Sequence, residues 1–488
     1  MQLTKKLEQN RNALNEALQD CGDIVWREFS AGRGRVLMLY TDNIVDGEAI
    51  RESILETLML DYQSEEREGV LDNLLKEALA IGEVVKITTV EEVCDGVLGG
   101  DTVLLMEGND FALQATTKKF PNRGVSKAET EVVVQGPKDA FMEVMAFNIV
   151  LTRRRIRDPK LKLKRKKVGS RTKTDVALMY MEDLVRPEIL EQVEKQMEDM
   201  NVEGLLDSGS MEQLLERRQY SPFPQLQMTE RPDKTAAALL EGRIVLLADN
   251  TPYAILLPAT LNTFFQAAED YYERWEIMSF IRLIRYAAAF LAVALPGLYI
   301  AFAVYHPQLM PTALALKVAS TRGEIPFSVI GEVLIMELAF ELLREAGIRL
   351  PSPVSSTIGI VGGIIIGSAA VEAGIVSPVV VIVAALTGIC SFVIPNVSIV
   401  SGLRISKYLV ILLAALFGIF GVWAALLLLL GHLAGLTSYG IPYLYPYCSS
   451  SVNGDRDWED SIFRFPLPEM KRRSIFINPK KQDAKGAE

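Results

Sequence analysis

Three glutamates stand in an otherwise apolar helical run at residues 327–343: Glu332, Glu337 and Glu341, the last two four residues apart and so on one helix face. A carboxylate at membrane depth is costly and faces a protein interior or a water-filled cavity. The same helix laid in a membrane interface would keep its acids in water, and the residues alone leave both arrangements open. A second pattern follows. Gly359, Gly363 and Gly367 recur every four residues and bare one helix face for close backbone approach. At 3.6 residues per turn the opposite face carries Ile358, Val361, Ile365, Ser368 and Glu372. In an oligomer, a ring of those valines and isoleucines would gate a pore by dewetting, with Glu372 favouring cations. Burial of both faces against other helices is the alternative.

Other chemistry has little material. His306 and His432 are the two histidines of the chain, too few for a histidine metal site or a catalytic triad. The four cysteines, Cys21, Cys94, Cys390 and Cys448, have no CxxC spacing, and a disulfide framework is not expected. No GxGxxG follows a strand and no GxxxxGK[ST] occurs, so phosphate-cradling loops are not expected either. The chain does not read as an enzyme, and no cofactor or metal is expected.

The elements that position these residues divide the 488-residue chain in two. Hydrophobic residues make up 49% and charged residues 23%, but most of the charge precedes Arg285 and the long apolar runs follow it. The net charge of −10 averages two dissimilar parts, and it speaks against nucleic acid as a partner. The N-terminus is rich in Lys, Glu, Gln and Asn with no apolar core, unlike a cleavable signal peptide, so the front half should stay on the cytoplasmic side. Residues 286–305 hold no charge and are long enough to cross about 30 Å of hydrocarbon. Residues 408–436 are a second clear span, entered from Arg404 and Lys407. Between them, 357–371 and 378–394 are near or below spanning length and suit short spans or a re-entrant pair. Basic residues beyond the last span favour a cytoplasmic C-terminus, hence an even number of crossings, with four expected.

The front half reads as strands and helices in alternation. Residues 1–30 suggest a charged helix; 35–40, 83–87, 102–106 and 111–116 suggest strands. Thr88 and Thr89 are caps for a helix at 90–98. Between 153 and 173, twelve Lys and Arg face one acid, Asp158. Lys164, Arg165, Lys166 and Lys167 in that stretch would attract anionic lipid, or serve as a solvated linker and charged strand edge. The expected fold class is an α/β soluble N-terminal region of two subdomains, 1–155 and 156–258, plus an α-helical multi-span transmembrane domain at 286–436. A helical linker, 259–285, joins them, and a polar tail follows at 437–488.

Several stretches in order resemble the GerA family, the A subunits of spore germinant receptors. They begin with Gly136-Pro137-Lys138-Asp139-Ala140-Phe141-Met142-Glu143, then Asn148 and Arg153-Arg154-Arg155, then Arg171-Thr172-Lys173-Thr174. Phe223-Pro224-Gln225 and Thr229-Glu230-Arg231-Pro232-Asp233 follow, running through Ala236-Ala237-Ala238-Leu239-Leu240-Glu241-Gly242-Arg243. Glu269-Asp270-Tyr271-Tyr272 leads into the first span. Gly359-Ile360-Val361-Gly362-Gly363, Ala369-Ala370-Val371-Glu372-Ala373-Gly374 and Ser377-Pro378 complete the match. Ala140 departs from the glycine expected in this pattern, which touches only local loop geometry. The resemblance implies an integral protein of the spore inner membrane, with its N-terminal domain and C-terminus on the core side. It implies work with a transporter-like B subunit and a lipoprotein C subunit, and homo-oligomerisation into a nutrient-gated cation channel. The alternative in the same family is a non-conducting scaffold, as in stage V sporulation AF-like paralogues. A transporter would show a repeat of broken spans, and no second copy is visible.

Overall fold

The computed structural model describes residues 1–31, 34–56, 84–119, 128–323, 325–349, 363, 367–448, 459–466, 468–469 and 474–479. The chain divides into two compact units, one of residues 1–216, 226–258 and 471–488, the other of 217–225 and 259–470.

The first unit is built twice on one plan. After α1 (Leu7–Ala17), strands β1 (Ile24–Ala31), β2 (Gly34–Thr41) and β3 (Val84–Ile87), helix α2 (Val90–Leu98), β4 (Thr102–Met106) and β5 (Ala112–Ala115) give an antiparallel sheet of order β1-β2-β4-β5-β3. After α3 (Met145–Arg153) come β6 (Leu161–Val168), β7 (Thr174–Met181), α4 (Pro187–Glu198), α5 (Ser208–Leu215), β8 (Gln227–Thr229), α6 (Pro232–Leu240), β9 (Ile244–Ala248) and β10 (Ala254–Leu257). Their sheet order, β6-β7-β9-β10-β8, is the same arrangement, again antiparallel throughout. Residue types recur with it. Val36, Tyr40 and Val45 correspond to Val176, Tyr180 and Val185. Gly100 before Val103-Leu104-Leu105 corresponds to Gly242 before Val245-Leu246-Leu247. Both glycines have positive φ, 93° and 79°, at the turn from helix into strand, a conformation an L side chain resists.

Burial on both faces explains the uninterrupted apolar strands. Leu37, Leu39, Val103 and Leu105 pack beneath α1 and α2, while Val36, Met38, Leu104 and Leu113 pack against Ile50 and Ile54 on the other side. Helix α2 starts on a capping box: Thr89 Oγ1 accepts from Glu92 N–H at 3.2 Å, and Glu92 Oε2 accepts from Thr89 N–H at 3.0 Å. The charged helix expected over residues 1–30 ends at Ala17. Asp20 turns the chain at φ 57°, and Ile24, Val25, Trp26 and Phe29 then favour a strand despite Arg27 and Glu28 between them.

A sealed ion pair joins the two halves of this unit. Arg153, at the end of α3, donates from Nε and Nη2 to both oxygens of Asp23 at 2.9 Å and from Nη1 to the Leu161 carbonyl at 2.9 Å. Both side chains are sealed from water.

Glu212 on α5 is a different case. Its Oε1 is buried without a partner, and burial, then the charge of Glu216, pushes its carboxyl up to about 7. The folded state therefore holds a proton that the unfolded chain has released above about pH 4.5, so stability is lost as pH rises towards 7. Glu212→Gln is expected to stabilise the first unit by roughly 3 kcal/mol at pH 8 and to do little at pH 4. Thermal unfolding of wild type and variant at both pH values checks this.

The second unit is helical: α7 (Leu261–Phe265), α8 (Trp275–Ile300), α9 (Thr312–Thr321), α10 (Val329–Arg349), α11 (Pro378–Phe392) and α12 (Val397–Ala434). The α8 helix runs on as a π-helical turn, Ala301–Tyr305, and with it is long and apolar enough to cross a membrane, as is α12. At Gly418 (φ 58°, ψ −136°) α12 breaks into two helices that fold back on one another, so that Gly402 and His432 both lie against Phe223. A Cβ at Gly418 would lie 2.9 Å from Tyr305, whose hydroxyl donates to the Ala415 carbonyl at 2.5 Å. The aromatic residue thus occupies the break and takes up a carbonyl beside it.

The flanks taken as linker and polar tail belong to this unit. Asp270, fully buried, takes Arg282 and Arg285, each at 2.7 Å, and Arg282 also reaches Asp460 at 2.7 Å. Tyr443 is fully buried, and its carbonyl accepts from Leu261 N–H at 2.7 Å. Residues 474–479 instead belong to the first unit, where Arg186 donates to the carbonyls of Ile475 and Ile477. Two of the tail's charges, Asp460 and Arg464, are held inside the second unit rather than solvated.

Candidate functional site

The glutamates of α10 meet cations from other parts of the helical unit. Glu332, fully buried, accepts from Ser377 N–H at 2.7 Å and lies 3.4 Å from Arg322. One turn further on, Glu337 pairs with Lys407 of α12, and both side chains are almost wholly buried. Glu341 receives Arg404 Nε at 3.0 Å, with Arg344 at 3.4 Å and Lys407 at 3.9 Å. The i,i+4 spacing of Glu337 and Glu341 meets the i,i+3 spacing of Arg404 and Lys407, so two helices carry complementary charge on facing stripes. Burial of such charges is tolerated because each finds a partner.

Beside these pairs is a cavity of about 440 Å³ walled by α10, α11 and α12. Glu337, Glu341, Arg344, Arg404 and Lys407 line one part of it, and Thr387, Gly388 and Ser391 of α11 another. Chemically this is a largely apolar pocket with one charged wall, fitted to hold charge there.

The glycine pattern falls partly outside the described residues, which exclude Ile358, Gly359, Val361 and Ile365. Gly363 lines the cavity, with no neighbouring element among the described residues within 4 Å of a Cβ placed there; Gly367 is buried, its Cβ position 3.3 Å from Val381 on α11. Ser368 and Glu372 are exposed, and Glu372 makes no ion pair among the described residues. Lys164, Arg165, Lys166 and Lys167 lie on β6, an edge strand. Lys164 pairs with Glu194 at 2.7 Å and Arg165 lies 3.8 Å from Asp42. Lys166 and Lys167 make no ion pair among the described residues, and charge on an open edge resists pairing with another chain. Sequence reasoning missed Arg404 and Lys407 as partners of the glutamates. The signal was present in their matched spacing.

Known proteins match this chain over nearly its whole length. The family model described as Bacillus/Clostridium GerA spore germination protein matches residues 12–476. The chain is 40% identical over 489 aligned residues to the uncharacterized membrane protein YfkQ of Bacillus subtilis (strain 168), covering 97% of this chain and 94% of that one. It is 35% identical to spore germination protein GerLA of Bacillus cereus, over 96% of this chain and 94% of that one. Among solved structures, the N-terminal domain of the A subunit of the Bacillus megaterium spore germinant receptor GerK3 is 30% identical, with a TM-score of 0.43, 54% of this chain and 98% of that one covered. The chain belongs to the GerA family of spore germination proteins.

Proposed function

We propose that this chain is the A subunit of a spore nutrient-germinant receptor and oligomerises in the spore inner membrane as a nutrient-gated cation channel. Its first unit and C-terminus lie on the core side, and it works with a transporter-like B subunit and a lipoprotein C subunit. Four crossings fit this topology, with α8 among them; the short pair expected at 357–371 and 378–394 falls partly outside the described residues.

The observation that carries this reading is the state of the acids. Glu332, Glu337, Glu341 and Glu345 are each matched by an arginine or lysine. Glu372 is exposed and makes no ion pair among the described residues. A carboxylate left over at the end of an apolar stripe is what an oligomeric pore needs to favour cations, whereas a sealed anchor would have neutralised it.

The test is nutrient-triggered monovalent cation flux in vesicles carrying the chain with its partner subunits. Glu372→Gln should cut the flux several-fold, and Val361→Ser should leave the pore leaky without nutrient. Flux that persists without this chain ends the channel reading. Similarity to stage V sporulation protein AF favours the accessory reading as second choice; a receptor that conducts normally when this chain is deleted, yet germinates slowly, is its expected result.

A further inference from the structure

The cavity between α10, α11 and α12 is larger than its ion pairs require. At about 440 Å³ it has room beyond the side chains, and a Cβ on Gly363 or Gly388 in its wall would meet no neighbouring element among the described residues within 4 Å. Three cations, Arg344, Arg404 and Lys407, face two carboxylates, Glu337 and Glu341, leaving one positive charge in excess. Two polar atoms among these side chains are buried without a hydrogen-bond partner: Glu337 Oε1, on a side chain 4% exposed, and Arg344 Nε. An unmet acceptor and an unmet donor in one cavity call for a ligand that brings both a donor and an anionic acceptor.

The position indicates what carries them. Arg404 and Lys407 directly precede the apolar stretch of α12 that begins at Tyr408, the level of a membrane headgroup. Ile348 and Phe392 also line the cavity and are 73% and 72% exposed. An apolar mouth over a charged floor suits an amphiphile whose chains leave into hydrocarbon, and does not suit a soluble ion.

We infer that this cavity binds the headgroup of one monoanionic phospholipid of the phosphoglycerol kind. The phosphodiester lies at Arg344 and Arg404, a headgroup hydroxyl donates to Glu337 Oε1, and the acyl chains pass Ile348 and Phe392. The lipid then bridges α10 to α12 alongside the ion pairs. This rests on the membrane reading above but not on conduction, because binding is measured without flux.

The full chain, purified in detergent and stripped of lipid, is offered dioleoylphosphatidylglycerol, the phosphatidylcholine of the same chains, or soluble glycerol 3-phosphate, with retention read by native mass spectrometry. Phosphatidylglycerol should be retained about tenfold better than phosphatidylcholine, and Arg344→Gln should lower its retention about tenfold. Gly388→Leu fills the open space without changing charge and should abolish retention; if Arg344→Gln does not fold, this variant decides alone. Equal retention of the two lipids, or a preference unchanged in Gly388→Leu, overturns the inference. Equal protection by glycerol 3-phosphate assigns the site to a free phosphate and overturns it too. A chain that stays soluble and monodisperse without detergent fails on the membrane reading instead.

Discussion

Lys407→Met is expected to destabilise the helical unit by about 3–5 kcal/mol. The loss comes less from the broken contact than from what it leaves behind, a Glu337 carboxylate that water does not reach. Its Oε1 already lacks a hydrogen bond, so no second donor stands ready. Lys407 also lies 3.9 Å from Glu341, and its removal weakens that cluster as well. Arg404→Gln should cost no more than about 1 kcal/mol, since Glu341 keeps Arg344 and is itself partly exposed. The discriminating variant is the double one. Glu337→Leu with Lys407→Met replaces the pair by apolar groups of similar size and should recover most of the loss. Hydrogen exchange over α10 and α12 in detergent reads these changes by element. A loss below about 1 kcal/mol in Lys407→Met would mean that water reaches the pair.

The parts of the fold legible in sequence were those written in local periodicity. The central stretches of β2 and β7, and all of β9 and β10, are apolar because both faces of their sheets are covered, and they stood out for that reason. The long apolar parts of α8 and α12 were equally plain. By contrast, β1 was lost behind Arg27 and Glu28, while the lysines of β6 left a lipid-binding stretch and a charged strand edge both open; the structure makes it an edge strand, which can carry charge that an inner strand cannot. Missing β1 and leaving β6 open also concealed the duplication, because each copy's sheet begins with one of them. Only the pairing order shows that the copies share a topology; the few matched residues, Tyr40 with Tyr180 or Gly100 with Gly242, carry too little signal alone.

The candidate site was legible by residue type but not by partner. Glu332, Glu337 and Glu341 announce themselves in an apolar helix, yet nothing local says whether water or a cation meets them. That depends on α12, some 60 or more positions away in the chain, as the separations of 63 for Glu341 and Arg404 and 70 for Glu337 and Lys407 show. The cavity is less legible still. It exists because Gly388 and Gly363 withhold side chains where three helices meet, which no single-helix pattern encodes.

Arg153→Ala should cost the first unit about 3–5 kcal/mol, the largest effect expected there. Arg153 and Asp23 are both shut away from solvent, 0% and 1% exposed, and the guanidinium holds both carboxylate oxygens and the Leu161 carbonyl at once. Removing it leaves the Asp23 carboxylate buried without its partner, and leaves the Leu161 carbonyl at the start of β6 with the weak Cys21 thiol donor at 3.7 Å. Arg153→Lys keeps the charge but reaches fewer of these acceptors, and should fall between wild type and alanine. Asp23→Asn combined with Arg153→Met removes both charges and should recover at least half of the loss, which a simple packing defect would not do. Because Asp23 precedes β1 and Arg153 closes α3, the pair joins the first copy of the fold to the second. Hydrogen exchange should therefore loosen β1 and β6 together in Arg153→Ala, while β9 and β10, interior to the second core, stay protected. Loosening confined to α3 would show that the two copies are held by their other contacts, such as Gly22 N–H to the Leu163 carbonyl at 3.0 Å and Leu163 N–H to the Asp20 carbonyl at 2.8 Å.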